Sequence, residues 1–270
     1  MTTIDLGPTG AVLSPDAEGF ATTAAELERM GYDTIWLTGG PMERLAQIAE
    51  AVAATETPRI ATGIIPVDRF PSADVASLYA ALEASAPGRF VVGLGGAHGA
   101  DPLGTLNAYL DRLDGTVPPN RRVMAALGPR MIGLARDRAA GAFPVLVTPD
   151  YVRQAKAQLP DTTLAVEQLV VLDTDPATAR ATARGPLGFL GQVPAYQSSF
   201  RRMGFADDDI AGLGDALVDG LVAWGDAAAV ADRIAALRAA GADHVAISVV
   251  SRATQPSLDE WRAVAEAIAD

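Results

Sequence analysis

The sequence predicts an α/β protein that folds as a (β/α)8 TIM barrel. Short apolar segments typical of strands alternate with helical segments along the whole chain, and eight such strands occur. Helical crossovers return the chain to the same end of a sheet, so these strands must run parallel. Glycine and proline cluster where the strands end, which is the face on which TIM barrels carry their active sites. A doubly wound open sheet is the alternative, but its GxGxxG fingerprint is missing from the first strand–helix turn.

The first half of the chain supplies four strands. Apolar runs predict them at the following positions: residues 4–12, 34–37, 59–65 and 90–93. Apolar residues at helical spacing predict the helices that follow: residues 16–30, 43–55, 74–86 and 103–114. Gly31 is expected to end the first helix as a left-handed cap. The pattern therefore consists of four complete strand–helix units.

The second half repeats this alternation. Strands are predicted at these positions: residues 123–127, 143–147, 164–172 and 244–249. Helices are predicted at residues 129–140, 149–159, 227–240 and 257–269. A long helical stretch is predicted at 176–224, with breaks at Gly185-Pro186, Pro194 and Gly204. The proline-rich link at 115–120 is short enough to be a loop, so residues 1–270 are predicted to form a single domain.

Composition excludes several classes of function. The net charge of −12 argues against a nucleic-acid partner, which requires a basic surface. The chain has no cysteine and two histidines, so neither disulfides nor a typical zinc site is expected, and we predict no metal. No apolar run reaches the length of a membrane helix, and the N-terminus lacks the features of a signal peptide. We expect a cytoplasmic protein that does not bind membranes.

The loop after the fourth strand is the most informative segment. Residues 88–98 (GRFVVGLGGAH) form a strand, a glycine-rich turn and then a histidine. Glycines allow sharp bends or a close approach to a ligand, and His98 is suited to acid–base work near neutral pH. The alternative is a tight structural turn with an incidental histidine.

A second candidate site begins the helix after the fifth strand. Gly128 and Pro129 would leave free backbone amides at the positive end of that helix, and Arg130 adds a charge. Together they form a candidate phosphate site. The alternative is an ordinary helix start with a solvated arginine.

Several short motifs, taken in order, resemble the luciferase-like monooxygenase family, in its branch that uses the deazaflavin coenzyme F420. They are spread over nearly the whole chain: residues 28–36 (ERMGYDTIW), 60–64 (IATGI), 87–95 (PGRFVVGLG), 125–131 (AALGPRM), 139–142 (AAGA), 146–149 (LVTP), 224–226 (WGD) and 240–245 (AGADHV). Each is weak alone, and their order and spacing make the resemblance specific. It implies a luciferase-like (β/α)8 barrel, a homodimer, and a flavin-type ring across the C-terminal face.

The resemblance also implies roles for individual residues. Gly63 and Ile64 correspond to a bulge that supports the ring, often through a non-proline cis peptide. The cofactor-binding candidates are Thr38, Gly63, Ile64, Gly95, Gly96, Ala97, Gly128, Pro129, Arg130 and Ile132. The last four would contact the phosphate-bearing tail. The cofactor implied is coenzyme F420, with flavin mononucleotide (FMN) as the alternative.

The chain departs from the family pattern after the second strand. Many F420-dependent members carry an acidic residue or histidine there, whereas this chain has Thr38-Gly39-Gly40. His98 is the predicted substitute as catalytic acid or base. His244 begins the last strand, far from the expected site, and is predicted to be structural.

Three further residues are candidates for the substrate pocket. Trp36 is placed at the end of the second strand, where core packing is the alternative. Glu167 interrupts an apolar strand, and an inward carboxylate there is costly unless it is paired or functional. Arg252 follows the eighth strand, where barrels often bind phosphate.

We therefore expect an F420-dependent oxidoreductase that transfers a hydride between the deazaflavin and a small organic substrate. An FMN-dependent luciferase-like monooxygenase is the second hypothesis. The third is a non-catalytic protein that binds a flavin or deazaflavin, motivated by the absence of a titratable group at Gly39-Gly40.

Overall fold

Parallel strands close into the predicted barrel in a computed structural model of the chain, which describes residues 3–269. The strands are β1 (Thr9–Leu13), β2 (Thr34–Thr38), β3 (Arg59–Gly63), β4 (Ile65–Pro66), β5 (Phe90–Gly95), β6 (Arg122–Met124), β7 (Gly141–Ala142), β8 (Thr163–Leu172), β9 (Val222–Gly225) and β10 (His244–Val249). Neighbours around the barrel follow the order β10-β1-β2-β3-β5-β6-β7-β8, and β8 returns to β10. β4 continues β3 and pairs with β5. The predicted (β/α)8 fold is confirmed.

Helices surround these strands. They are α1 (Phe20–Arg29), α2 (Ala46–Ala54), α3 (Ser72–Ser85), α4 (Pro102–Leu113), α5 (Pro129–Arg138), α6 (Pro149–Gln158), α7 (Pro176–Leu190), α8 (Pro194–Arg202), α9 (Asp207–Gly212), α10 (Asp215–Leu221), α11 (Ala227–Ala239) and α12 (Leu258–Ala269). Local chemistry explains where many of them begin. Five start with proline, and the side chains of Asp101, Thr148, Asp175 and Asp226 cap α4, α6, α7 and α11. Gly31 has φ 90° just after α1, as its predicted role requires.

Two predicted strands differ in the structure. β1 begins at Thr9, and Ile4 and Leu6 instead join the apolar cluster inside the barrel. The strand predicted at 143–147 is misplaced: β7 is Gly141–Ala142, and within the predicted range only Val145 forms a bridge, to Glu167. Pro144 lies between the two parts and has no N–H to donate, which interrupts the ladder.

The region predicted to be helical at 176–224 differs in two ways. Residues 222–224 belong to β9, which pairs with β8 from Leu169 onward, beyond the short β7. The predicted break at Gly185-Pro186 is also wrong, because α7 continues through Pro186. One face of α7 is buried, and this tertiary packing overrides the local cost of proline. The predicted breaks at Pro194 and Gly204 are confirmed as the start of α8 and the turn after it.

The barrel interior is filled by two stacked aromatic rings. Trp36 and Phe143 lie 4.1 Å apart with their planes 12° from parallel. Alanines at 61, 165 and 246 leave the space that these rings occupy. A second apolar cluster lies where α7, α8, α9 and α10 cover the upper part of β8 and β9, and Leu169, Val171 and Phe200 belong to it. We call α7–α10 the cap.

Candidate active site

The floor of the barrel mouth is the cis peptide between Gly63 and Ile64. A Cβ on Gly63 would lie 2.9 Å from the ring of Phe143, so glycine lets the backbone rest on the aromatic stack. Gly95 continues this floor, since its Cβ would lie 2.8 Å from Ala125 and 3.0 Å from the Ile64 side chain. At Gly63 and Gly95 the floor therefore presents backbone where a side chain would collide with its neighbours.

Trp36 supports this floor from below. Its indole is fully buried, and its Nε1–H donates to His244 Nε2 at 2.9 Å. His244 Nδ1–H donates to the Gly7 carbonyl at 2.8 Å, so its partners require the neutral ring. Burial accordingly lowers the pKa of His244 from 6.5 to about 4. This placement agrees with a structural His244 and corrects the expectation that Trp36 lines the substrate pocket.

The lack of a titratable side chain after β2 has a packing reason. A Cβ on Gly39 would lie 1.5 Å from the carbonyl oxygen of Ile64, whereas one on Gly40 would meet nothing within 4 Å. Arg69 fixes the same loop by donating to the carbonyls of Gly40 at 2.7 Å and Met42 at 2.6 Å. Gly39 is thus part of the support for the cis peptide. Thr38, next to it, is half-buried with its hydroxyl 3.4 Å from the Leu13 carbonyl.

His98 lies at the rim of the mouth. Its side chain is 74% exposed, and Nδ1 lies 3.0 Å from Asp68 Oδ2. The backbone N–H of His98 donates to the same carboxylate at 2.7 Å. Gly96, with φ 69°, turns the loop in front of Ala97 and His98. The catalytic role of His98 stays a prediction.

The position of Glu167 on β8 directs its carboxyl toward the interior of the mouth. Residues alternate along a strand, and Ala165, two positions earlier on β8, packs inside the barrel. Ser248 has the same orientation on β10, two positions after the interior Ala246. Glu167 is half-buried, and burial raises the pKa of its carboxyl from 4.5 to about 7, with a smaller opposing effect from the Ser248 hydroxyl.

Tyr196, on α8 of the cap, lies within electrostatic reach of Glu167. Burial, with a contribution from the Glu167 charge, raises the pKa of the Tyr196 phenol. The position of Tyr196 relative to Glu167 depends on how the cap packs over β8, and the local sequence does not encode that arrangement.

The predicted phosphate site forms one side of a cavity of about 290 Å³ between α5 and α6. Pro129 and Ile132 line it, and Gly128 precedes the first turn of α5. Arg130 is exposed on that turn. Arg202 of α8 also lines the cavity, with its guanidinium 3.4 Å from the Leu127 carbonyl. Arg202 is far from α5 in the sequence, so its approach to this cavity depends on tertiary structure and could not be found from local sequence.

Arg252 lies elsewhere, on an exposed groove between the β10–α12 loop and the first turns of α7. Within residues 3–269, no group of three or more His, Asp or Glu side chains has an arrangement that would hold a metal ion. In the same part of the chain, no helix combines the length and apolar character needed to cross a membrane.

The fold and the glycine-lined mouth define a (β/α)8 barrel of the luciferase-like type. Residues 1–116 match the sequence model of the luciferase-like monooxygenase family. Two F420-dependent enzymes have similar structures. One is a secondary alcohol dehydrogenase in complex with an F420–acetone adduct, at 18% identity and TM-score 0.75 over 100% of both chains. The other is the tetrahydromethanopterin reductase from Methanopyrus kandleri, at 16% identity and TM-score 0.73 over 95% of this chain and 96% of that chain.

An FMN-containing structure is also similar. It is the oxygenating constituent of 3,6-diketocamphane monooxygenase from the CAM plasmid of Pseudomonas putida, at 15% identity and TM-score 0.67 over 98% of both chains. Curated protein sequences give no match. The family match over residues 1–116 and these structures confirm the luciferase-like resemblance, and the structural similarity over nearly the whole chain confirms the fold.

Proposed function

We propose that this protein is an F420-dependent oxidoreductase that transfers a hydride between the deazaflavin and a small organic substrate. The observation that carries this proposal is a half-buried carboxyl of raised pKa, Glu167, facing the mouth of a luciferase-like barrel. Hydride transfer to or from carbon needs a partner for the accompanying proton, and Glu167 is suited to that role near neutral pH.

The residues at the mouth fit the cofactor. Gly63-Ile64 and Gly95-Gly96 form the floor against which the ring would lie. The amides at the start of α5, together with Arg130 and Arg202, would hold the anionic tail. The bound deazaflavin would supply or accept a hydride, and the protein contributes orientation and electrostatics.

Residues of the chain itself would handle the proton and limit the access of water. Glu167 holds or releases the proton at its carboxyl oxygen, and Ser248 steadies the charged form. The cap covers one side of the mouth and limits the access of water to Glu167, which is the cause of its raised pKa. His98 and Asp68 form the opposite rim.

An FMN-dependent monooxygenase is the second candidate, because the same fold carries FMN in the 3,6-diketocamphane enzyme. We prefer F420 because two arginines beside α5, Arg130 and Arg202, suit the several negative charges of the F420 tail.

Fluorescence titration of the purified protein with each cofactor tests this choice. We expect micromolar or tighter affinity for F420 and at least tenfold weaker affinity for FMN. Tight binding of FMN without binding of F420 would contradict the proposal. Binding of F420 without turnover on any carbonyl, imine or enone would support the non-catalytic alternative.

We also propose that the protein is a homodimer through α3. This helix presents small side chains to solvent (Ala73, Ala80, Ala81 and Ala84). A close helix–helix contact suits such a face. Analytical ultracentrifugation of Ala81→Glu should show a monomer, and the control Ala236→Glu on an exposed face of α11 should remain dimeric. A wild-type monomer would contradict this proposal.

A further inference from the structure

A chain of contacts runs through the barrel interior from the start of β10 to the floor of the mouth. His244, the first residue of β10, donates from Nδ1 to the Gly7 carbonyl at 2.8 Å and accepts from the Trp36 indole N–H at 2.9 Å. The indole is stacked on Phe143, with the ring planes 12° apart. A Cβ on Gly63 would lie 2.9 Å from Phe143 and 3.6 Å from Trp36, so both rings lie directly beneath the floor. His244 therefore contacts the floor indirectly, through Trp36.

The partners of His244 define its protonation. The Gly7 carbonyl can only accept, so Nδ1 carries the proton, and Nε2 offers its lone pair to the indole N–H, which can only donate. The Gly7 end of this arrangement is itself held in place. The Gly7 N–H donates to the Asp5 carboxylate at 3.0 Å. The Pro8 carbonyl accepts from the Val245 N–H at 3.1 Å. The imidazole is therefore anchored from below and gives the indole one defined direction for its hydrogen bond.

Gly10 on β1 leaves the space in which the imidazole and the indole meet. A Cβ on Gly10 would lie 2.8 Å from His244 Nε2 and 2.9 Å from Trp36 Cδ1. A side chain at this position would force the two rings apart. The hydrogen bond between His244 and Trp36 therefore depends on a glycine that lies opposite it.

Stability alone does not require a polar pair in the barrel interior. The surrounding cluster consists of apolar side chains such as Val12, Val91 and Val123, as is usual inside a TIM barrel. Replacing both partners of a buried hydrogen bond by apolar groups of the same shape can leave stability nearly unchanged. A fully paired buried hydrogen bond adds a single, specified orientation. In this case the specified group is the indole beneath the floor.

We propose that His244 is a positioning residue for the cofactor: its hydrogen bond holds the Trp36 indole in the orientation that sets the position of the floor at Gly63. This inference rests on the proposed binding of F420 at the mouth. His244 lies below the floor and acts on the cofactor ring only through Trp36. Without the Nε2 acceptor, the indole turns toward another partner, its contact with Phe143 changes, and the support beneath Gly63 shifts.

Two polar substitutions separate the two hydrogen bonds of His244. The amide oxygen of glutamine reaches about as far from the backbone as Nε2, so His244→Gln keeps an acceptor for Trp36. The amide nitrogen of asparagine reaches only about as far as Nδ1, so His244→Asn keeps a donor for Gly7 and leaves the indole unpaired. Proton–nitrogen NMR of the cofactor-free protein checks this directly. The Trp36 indole N–H signal should stay near its wild-type position in His244→Gln and move upfield in His244→Asn.

Fluorescence titration of the folded variants with F420 tests the consequence for binding. We expect the F420 affinity of His244→Gln to lie within threefold of wild type and that of His244→Asn to be at least tenfold weaker. Tyr32→Phe is the control, because it removes a different buried hydrogen bond, from the Tyr32 hydroxyl to the Trp261 carbonyl. A purely structural role lowers the free energy of unfolding without changing the affinity of the folded protein, as we expect for Tyr32→Phe.

Trp36→Phe provides a second test that does not depend on the folding of His244→Asn. It removes the indole N–H but keeps a ring against Phe143, and it should also weaken F420 binding at least tenfold. Wild-type F420 affinity in His244→Asn or in Trp36→Phe overturns the inference and leaves the proposed function intact. A wild-type protein that binds FMN and not F420 overturns the proposed function instead. The same variants titrated with FMN then test the positioning role, with the same ratios expected.

Discussion

Replacing Glu167 by glutamine should make the protein more stable above neutral pH. The carboxyl has a pKa of about 7 in the folded protein against 4.5 when free. Below pH 4.5 the side chain is protonated in both states, and the two proteins should differ little. As the pH rises from 4.5 to 7, the unfolded chain ionises first, so the wild type loses stability across this window. Because glutamine has no carboxyl to ionise, the Glu167→Gln variant should not lose stability in this pH range.

The size of the effect follows from the pKa shift. At about 1.4 kcal/mol per pKa unit, the shift corresponds to at most about 3 kcal/mol. Because the side chain is half-buried and keeps partial contact with solvent, we expect about 2 kcal/mol above pH 7. This gain is unusual for a substitution at an interior position, since most such changes destabilise.

Urea denaturation of the cofactor-free protein at several pH values measures this difference. The stability of Glu167→Gln relative to wild type should rise between pH 4.5 and 7 and then level off. Glu266→Gln, on the exposed side of α12, should show a difference within about 0.5 kcal/mol at every pH. A pH-independent difference for Glu167→Gln, or a loss of stability above pH 7, would refute the claim that Glu167 is desolvated.

Three further predictions concern the floor and the tail site. Gly39→Ala places a Cβ 1.5 Å from the Ile64 carbonyl oxygen, so F420 affinity should fall at least tenfold by fluorescence titration, whereas Gly40→Ala should bind normally; equal affinities would contradict the role of Gly39. His244→Leu leaves the buried Trp36 N–H without an acceptor and should cost about 1–3 kcal/mol at pH 7.5 in urea denaturation. It should also remove a wild-type loss of stability as the pH falls from 6.5 to about 4, where the unfolded chain binds the histidine proton first; an unchanged pH dependence would count against a buried neutral His244. Arg202→Gln should weaken F420 binding at low salt more than at high salt, while Arg201→Gln, whose native side chain pairs with Asp207, should have little effect; equal losses in both variants would rule out a specific tail contact.

The barrel was predictable because its signals are local. Apolar runs that end in glycine or proline mark the strands, and the motif around Gly63-Ile64 anticipated the cis peptide through family resemblance. The role of Gly39 was not predictable, because the Ile64 carbonyl that excludes a side chain there comes from another strand. From the sequence, Gly39 in the segment after β2 indicated that a catalytic side chain was missing. In the structure, glycine is required at position 39 because a Cβ there would collide with the Ile64 carbonyl oxygen.

The proposed active-site acid illustrates the same limit. His98 and Glu167 are both recognisable as candidates from the sequence, but their environments are not. His98 is exposed and paired with Asp68, whereas Glu167 is half-buried on β8, where burial raises its pKa. Desolvation depends on long-range packing. The choice between the two residues therefore required the structure.

The most direct test of the central claim is the pH dependence of F420-dependent reduction, measured on whichever member of a carbonyl, imine and enone panel is turned over, by the wild-type protein and by two variants. The account predicts that the wild-type rate falls above a pH of about 7, as Glu167 loses its proton. His98→Ala should keep this dependence with a similar maximal rate. Glu167→Gln should lose it and be at least about a hundredfold slower. An inflection that persists in Glu167→Gln and disappears in His98→Ala would contradict the account and assign the proton transfer to His98.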